Sequence, residues 1–211
     1  MFRKKMVPGL FGFMAFGIWT AILCFLDVQA IGPGGSAVGL ASLNRFFHAL
    51  TGMHRELYVI TDWMGLLPVA IGLGFAGLGL SQWIKRKKIK QVDSDLLWLG
   101  ALYLMMLACY LFFNEWVVNY RPVLIEGFLE ASYPSSTTLL VLCVMPTAVM
   151  QLNRRMKRGK FKNILCITIW AITAFMVMGR LVSGVHWLSD IIGGILLSAG
   201  LVGVYTAGSS R

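Results

Sequence analysis

His186 and Asp190 stand four residues apart at the head of an apolar run. On a helix that spacing places both side chains on one face. The carboxylate can then accept a hydrogen bond from one imidazole nitrogen, fix the tautomer, and leave the other nitrogen free to attack an electrophile. A His–Asp contact that only caps a helix uses the same spacing, so the pair alone leaves both readings open. Arg121 and Arg180 offer planar donor forks that match phosphate oxygens, and either alone would also serve as an interfacial anchor. Pro134-Ser135-Ser136-Thr137 opens a helix, where free N–H groups and the helix dipole favour an anion and where a plain Ser N-cap is the alternative. Together these clusters, within 114–122, 133–138 and 179–190, describe an oxyanion pocket with a histidine nucleophile.

Such a pocket needs elements to hold it, and the composition says which. Of 211 residues, 57% are hydrophobic and 13% charged, against the roughly 25% charged residues of a soluble domain. Mean hydropathy is +0.73. A water-soluble fold of this size has too little interior for so much apolar surface. The chain reads as an all-α polytopic membrane protein, and disorder, a disulfide scaffold and a cytosolic enzyme are excluded. Six apolar stretches reach the length of about 20 residues that a crossing helix needs: 8–28, 57–84, 95–118, 136–152, 163–182 and 186–206. They predict six transmembrane helices in a bundle, with a kink at Pro146. Residues 1–211 read as one integral membrane domain, with the motif-bearing core at about 95–206 and no internal repeat.

The net charge of +10 comes from lysines and arginines gathered in short breaks: Arg3, Lys4 and Lys5, five in 85–90 and six in 154–162. That is the positive-inside pattern, which argues for a cytoplasmic face and against nucleic acid. With Arg211, fifteen basic residues fall inside and Arg45, Arg55, Arg121 and Arg180 outside. Both termini are therefore expected to be cytoplasmic and the three clusters extracytoplasmic. The first run loosely imitates a cleavable signal peptide, but Leu10 to Leu26 is longer than a usual signal core, so it is read as a retained span. Segment 29–54 opens with Gly32-Pro33-Gly34-Gly35, and Leu43, Phe46, Phe47 and Leu50 recur at helical spacing. This predicts a short helix in the outer interface that either covers the bundle or guides a lipid. His48 and His54 read as interfacial polar residues. Gly72, Gly74, Gly77 and Gly79 suggest close packing of the second span. Cys24, Cys109, Cys143 and Cys166 lie in apolar runs as small buried hydrophobes. No cofactor or metal is implied, because no His/Cys/carboxylate cluster has ligand spacing.

The clusters resemble the motifs of the membrane-bound type-2 phosphatidic acid phosphatase superfamily, Lys-x6-Arg-Pro, Pro-Ser-Gly-His and Ser-Arg-x5-His-x3-Asp, carried on a six-span bundle. Arg121-Pro122 matches the end of the first, Pro134-Ser135 the start of the second, and Arg180, His186 and Asp190 the third, with Gly179 in place of its Ser. The resemblance implies His186 as nucleophile forming a phosphohistidine, Asp190 as its orienter, and Arg121, Ser135 and Arg180 as phosphate clamps, with no metal. Asn114 stands at the Lys position, and Ser136 and Thr137 at the Gly and general-acid His positions of the substrate-binding segment.

Threonine donates no proton near neutral pH, and general acid catalysis is worth about 10²–10⁴-fold. An alkoxide leaving a phosphate monoester needs that proton. A phosphate leaving a diphosphate, with a conjugate-acid pKa near ~6, needs it far less. The expected activity is thus hydrolysis of a lipid diphosphate, such as a polyprenyl diphosphate, at the outer face of the cell membrane. Glu126 or Glu130 would be a substitute acid if its carboxyl were held protonated. The alternatives are a lipid-phosphate-binding protein without turnover and a lipid phosphotransferase.

Overall fold

The structure is a computed structural model that describes residues 2–209, with side chains from Lys5 onward; Arg211 and the side chains of Arg3 and Lys4, which contribute to the expected charge asymmetry, lie outside what it describes. Eight α-helices follow one another among them: α1 (Phe2–Phe25), α2 (Ala41–Thr51), α3 (Arg55–Met64), α4 (Leu66–Arg86), α5 (Ser94–Glu115), α6 (Ser136–Arg155), α7 (Lys160–Val182) and α8 (Leu188–Ser209). Six stretches are long and apolar enough to cross a membrane: Lys5–Phe25, Arg55–Arg86, Ser94–Glu115, Ser136–Arg155, Lys160–Val182 and Leu188–Ser209. The six expected spans are thus present.

One detail differs from expectation. The second span is broken at Gly65 into α3 and α4, so that α3 packs on α7 while α4 packs on α5 and α6. Pro146 lies inside α6.

The spans enclose α6 and α8, whose apolar side chains are largely buried, while α1, α4, α5 and α7 present exposed hydrophobic faces. Two apolar clusters fill the interior. One joins α1, α5, α6 and α8 through Leu23, Leu99, Leu139 and Tyr205. The other joins α6 and α7 through Val141, Met145, Ile169 and Met176. Each fully buried large side chain of this kind is worth roughly 1.5–3 kcal/mol relative to exposure in water, although between helices in lipid the gain comes from packing rather than from water release.

The glycines that bring helices close are not those of the second span. A Cβ on Gly74, Gly77 or Gly79 would meet nothing within 4 Å, and one on Gly72 would make ordinary contact with Tyr103. The close approach is between α1 and α8. There a Cβ on Gly12 would stand 2.5 Å from the Gly200 nitrogen, and one on Gly203 would stand 2.6 Å from the Gly9 Cα. The sequence reading missed this because the glycines that meet lie on helices some 190 residues apart in the chain.

The basic breaks gather at one end of the bundle. Asp93 and Asp95 pair there with Arg86, Arg154 and Arg155, tying the 86–93 turn to the end of α6. The other end carries α2, the α7–α8 turn and segment 116–135. That segment folds back on itself: Ile125 and Phe128 exchange both backbone hydrogen bonds around Glu126 and Gly127, whose φ values are 50 and 86. Two left-handed central residues are the requirement of a type I′ hairpin turn.

Candidate active site

Asp190 anchors the site. It is fully buried at the start of α8, and its carboxylate is spanned by three donors. Ser132 Oγ reaches Oδ2 at 2.6 Å, the Trp187 backbone N–H reaches Oδ2 at 2.9 Å, and Asn119 Nδ2 reaches Oδ1 at 3.1 Å. The Trp187 contact is an acidic residue in the first helical turn reaching back to the capping backbone N–H, one arm of a capping box. Asn119 is itself fixed, since its Oδ1 accepts from the Gly39 N–H at 3.1 Å. Asn44 of α2 completes the frame, accepting from the Ser189 N–H at 3.1 Å and donating to Ser189 Oγ at 2.9 Å. It thus caps α8 from another helix.

His186 precedes α8 rather than lying on it, so the expected shared helix face does not form. Its Nδ1 faces Asp190 Oδ2 at 3.7 Å and has no hydrogen-bond partner. The separation is longer than a hydrogen bond. On the other side of the ring, Arg121 Nη1 stands 3.4 Å from Nε2. The imidazole is nearly sealed from solvent. Burial, with the positive charges of Arg121 and Arg180, pushes its pKa down to about 4, against the opposing pull of Asp190. It is therefore a neutral imidazole at physiological pH.

The turn that carries His186 depends on Gly184, whose φ is +72 and whose Cβ, if present, would stand 2.1 Å from the Gly52 carbonyl oxygen. Only glycine meets both demands. His48, expected as an interfacial polar residue, holds the same turn: its Nε2 lies 3.0 Å from the Gly184 carbonyl and its ring 5.5 Å from that of Trp187. His54 is exposed and contacts only the Thr51 carbonyl at 2.9 Å through its ring. The helix expected within 29–54 is α2, and it is amphipathic as expected: Ala41 and Asn44 face inward, while Leu43, Phe46 and Leu50 are exposed.

A cavity of about 430 Å³ opens beside this assembly, lined among others by Asn114, Arg121, Glu130, Ser132, Ser136 and His186. Next to it runs a mainly apolar cleft of about 340 Å³ between α4, α5 and α6, reached by Val69, Met106, Leu107 and Leu140. The two share Tyr110, Ser136 and Leu139.

The family model of the PAP2 superfamily matches residues 97–210, more than half of the chain. The chain belongs to the PAP2 superfamily. That membership carries the enzyme class expected of it, a phosphoric ester or anhydride hydrolase. In fold it is similar to the crystal structure of the first transmembrane PAP2 type phosphatidylglycerolphosphate phosphatase from Bacillus subtilis, with a TM-score of 0.59 and 20% identity over 95% of this chain and 94% of that one. No curated protein matches the chain in sequence.

Placed on the PAP2 motifs, the expected residues divide. Arg121, His186 and Asn114 share the cavity, and Ser136 lines it. Ser135 does not line it: fully buried, it caps α6, with its Oγ 3.5 Å from the Thr138 N–H, and its own N–H donates to the Asp190 carbonyl at 3.0 Å. The plain N-cap reading holds for its side chain. Thr137, at the general-acid position, opens onto the apolar cleft instead of the polar cavity. Arg180 does not line the cavity; it is 1% exposed, and its Nη1 is 3.4 Å from Asp62 Oδ1 on α3 while its guanidinium stacks 4.9 Å above the Tyr58 ring.

Asn44, Asn119, Ser132, Tyr58 and Asp62 escaped the sequence reading. Asp62 carried a usable signal, an acid inside an apolar span. Asn119 and Ser132 stood within or beside the recognised clusters, but nothing in their spacing pointed at Asp190.

Proposed function

We propose that the chain is a membrane-embedded lipid phosphatase that hydrolyses a lipid diphosphate, such as a polyprenyl diphosphate, through a phosphohistidine. The observation that carries this reading is the contact of Arg121 Nη1 with His186 Nε2 at 3.4 Å. An arginine only donates, so Nε2 bears the lone pair and the ring proton sits on Nδ1, toward Asp190. A neutral imidazole with its lone pair beside a guanidinium, at the wall of a cavity, is arranged to meet phosphorus while the arginine holds a phosphoryl oxygen.

In the first step Nε2 forms a bond to the terminal phosphorus, and the bridging P–O bond breaks with its electron pair leaving on the lipid monophosphate. The imidazolium that develops is stabilised by Asp190, whose position the three donors fix. Water then attacks the phosphohistidine, releasing inorganic phosphate and a proton and returning the neutral ring. The apolar cleft that meets the cavity at Tyr110, Ser136 and Leu139 suits a lipid chain with its headgroup at His186.

The preference for a diphosphate rests on the missing acid. Thr137 faces the apolar cleft, Glu126 is exposed on the hairpin turn, and Glu130 Oε2 is engaged 3.0 Å from Arg121 Nε. With threonine at the general-acid position, a departing phosphate, which needs a proton least, is the leaving group the site suits best. The positive-inside pattern of the opposite end of the bundle supports an extracytoplasmic site in the cell membrane.

The test is phosphate release by the purified protein in detergent micelles from a polyprenyl diphosphate, a phosphatidate and a phosphatidylglycerophosphate, beside His186→Ala. The diphosphate is expected to react fastest, and the mutant to lose about 10³-fold or more. A large preference for either monoester overturns the diphosphate assignment. Full activity of the mutant overturns the nucleophile.

A further inference from the structure

Both arginines assigned to phosphate are already tied to a carboxylate. Arg121 is 10% exposed, and its Nε stands 3.0 Å from Glu130 Oε2, whose side chain is 44% exposed. Arg180 is 1% exposed and its Nη1 stands 3.4 Å from Asp62 Oδ1, whose side chain is 56% exposed. In each pair the cation is buried, and the anion is the more exposed partner.

Each pair is built by local structure. The hairpin about Glu126 and Gly127 returns the chain so that the Arg121 N–H donates to the Glu130 carbonyl at 3.0 Å. The two side chains therefore emerge side by side. On the other side, Gly179 lets α3 approach α7: a Cβ there would meet Thr61 Cγ2 at 2.6 Å and Leu57 Cδ1 at 3.4 Å. This approach brings Tyr58 and Asp62, one helical turn apart, onto Arg180.

Neither pair uses all its donors. Arg121 Nε lies off the direction of a hydrogen bond despite its closeness to Glu130, and Arg180 Nε is buried without a hydrogen-bond partner. A buried guanidinium with an unspent donor is stabilised by a better-fitting anion. Two buried arginines without any counter-charge would be strongly unfavourable, so an empty cavity needs substitutes for the phosphate.

We propose that Glu130 and Asp62 are resting counter-ions of Arg121 and Arg180, displaced when a phosphate group enters, so that substrate binds by anion exchange. This rests on the reading of the cavity as a phosphate-ester site. The two carboxylates, 44% and 56% exposed, lose little packing when they swing out, and the entering phosphate keeps each guanidinium paired. Asp62 and Tyr58 also hold the Arg180 guanidinium back from the cavity wall until the exchange frees it. Because one charge must be displaced at each arginine, multiply charged phosphate groups compete better than monoanions. Glu130 and Asp62 are positioning residues in this scheme, each acting through its arginine.

The experiment is binding of inorganic phosphate to the purified full chain in detergent micelles by calorimetry, in wild type, Asp62→Asn, Glu130→Gln and the charge-preserving Asp62→Glu. Each charge-removing variant should bind phosphate about two- to fivefold more tightly, the range set by the worth of an exposed pair, with Asp62→Glu close to wild type. A merely structural role predicts the opposite, weaker binding and a lower melting temperature. Glu130 sits on an exposed hairpin away from the helix packing, so Glu130→Gln tests the idea even if Asp62→Asn fails to fold. Unchanged or weaker phosphate binding in any folded charge-removing variant overturns the exchange, as does absence of phosphate binding by wild type. Binding is read without turnover, so tightening with no lipid hydrolysis would instead count against the proposed phosphatase.

Discussion

Arg121 Nη1 lies 3.4 Å from His186 Nε2, on the side of the ring opposite Asp190. The guanidinium has no lone pair to offer, so a hydrogen bond here requires the lone pair on Nε2, the tautomer that the proposed nucleophile needs. Burial is the main cause of the ring's low proton affinity, and Arg121 adds to it. A proton on Nε2 would face a cation in a buried site.

The first consequence is in the titration of His186. Its folded pKa of about 4 lies below the ~6.5 of an unfolded histidine. Between those values the unfolded chain binds more protons, so this group's contribution to stability is complete above pH ~6.5 and is lost as pH falls toward 4. A ring-carbon NMR titration of the wild type, with the His186 signal identified by its loss in His186→Ala, should show that histidine still neutral at pH 5.5. Titration near 6.5 would show that the ring is open to water and not held between Arg121 and Asp190.

Asp190→Asn tests the orienter. The amide is the same size, but its NH2 group must face one side of a carboxylate site now filled by the donors Asn119, Ser132 and Trp187 N–H. One donor is left opposed by another, with an expected loss of about 1–3 kcal/mol in stability. The tautomer is no longer enforced, and kcat should fall by about 10²–10⁴-fold. Thermal unfolding and lipid phosphate release on the same preparation separate the two effects. Wild-type kcat in Asp190→Asn would mean that Arg121 alone orients the ring.

Gly184→Ala should disable the site from the backbone. Its φ of +72 and the 2.1 Å approach to the Gly52 carbonyl leave no room for a methyl group, so the turn must open and carry His186 with it. A misplacement of about 1 Å costs about 10²-fold in rate. The expected signature is lost kcat with a bundle that still purifies as a helical protein by circular dichroism. Retained activity would show that the turn adapts.

Gly200→Val tests the fold itself. A Cβ at Gly200 would already stand 3.0 Å from the Phe13 nitrogen and ring, so a branched side chain forces α1 off α8. Overpacking of this kind is worth about 1–3 kcal/mol, and the melting temperature in micelles should fall, whereas Gly77→Val, in open space, should leave it unchanged. Equal effects at the two positions would contradict the α1–α8 contact.

The amino-acid sequence by itself determined the class of fold, because 57% hydrophobic residues in six runs leave a chain no way to satisfy its backbone in a bilayer except as helices. It also determined the nucleophile and both arginines as candidates, because a histidine, an aspartate and arginines at span ends cost too much to be placed there idly. Tertiary structure decided the rest. The donors that grip Asp190 come from residues 119, 132 and 187, and the cap on Ser189 comes from Asn44, 145 positions away. Asp62 meets Arg180 across 118 positions, and Ser135 turns inward as a cap while Thr137 turns to the apolar cleft. Periodicity reports which face of a helix is apolar, but carries no term for which helices become neighbours. Those neighbours are chosen by close packing at Gly9, Gly12, Gly179 and Gly203, where a single added methyl would decide between contact and clash.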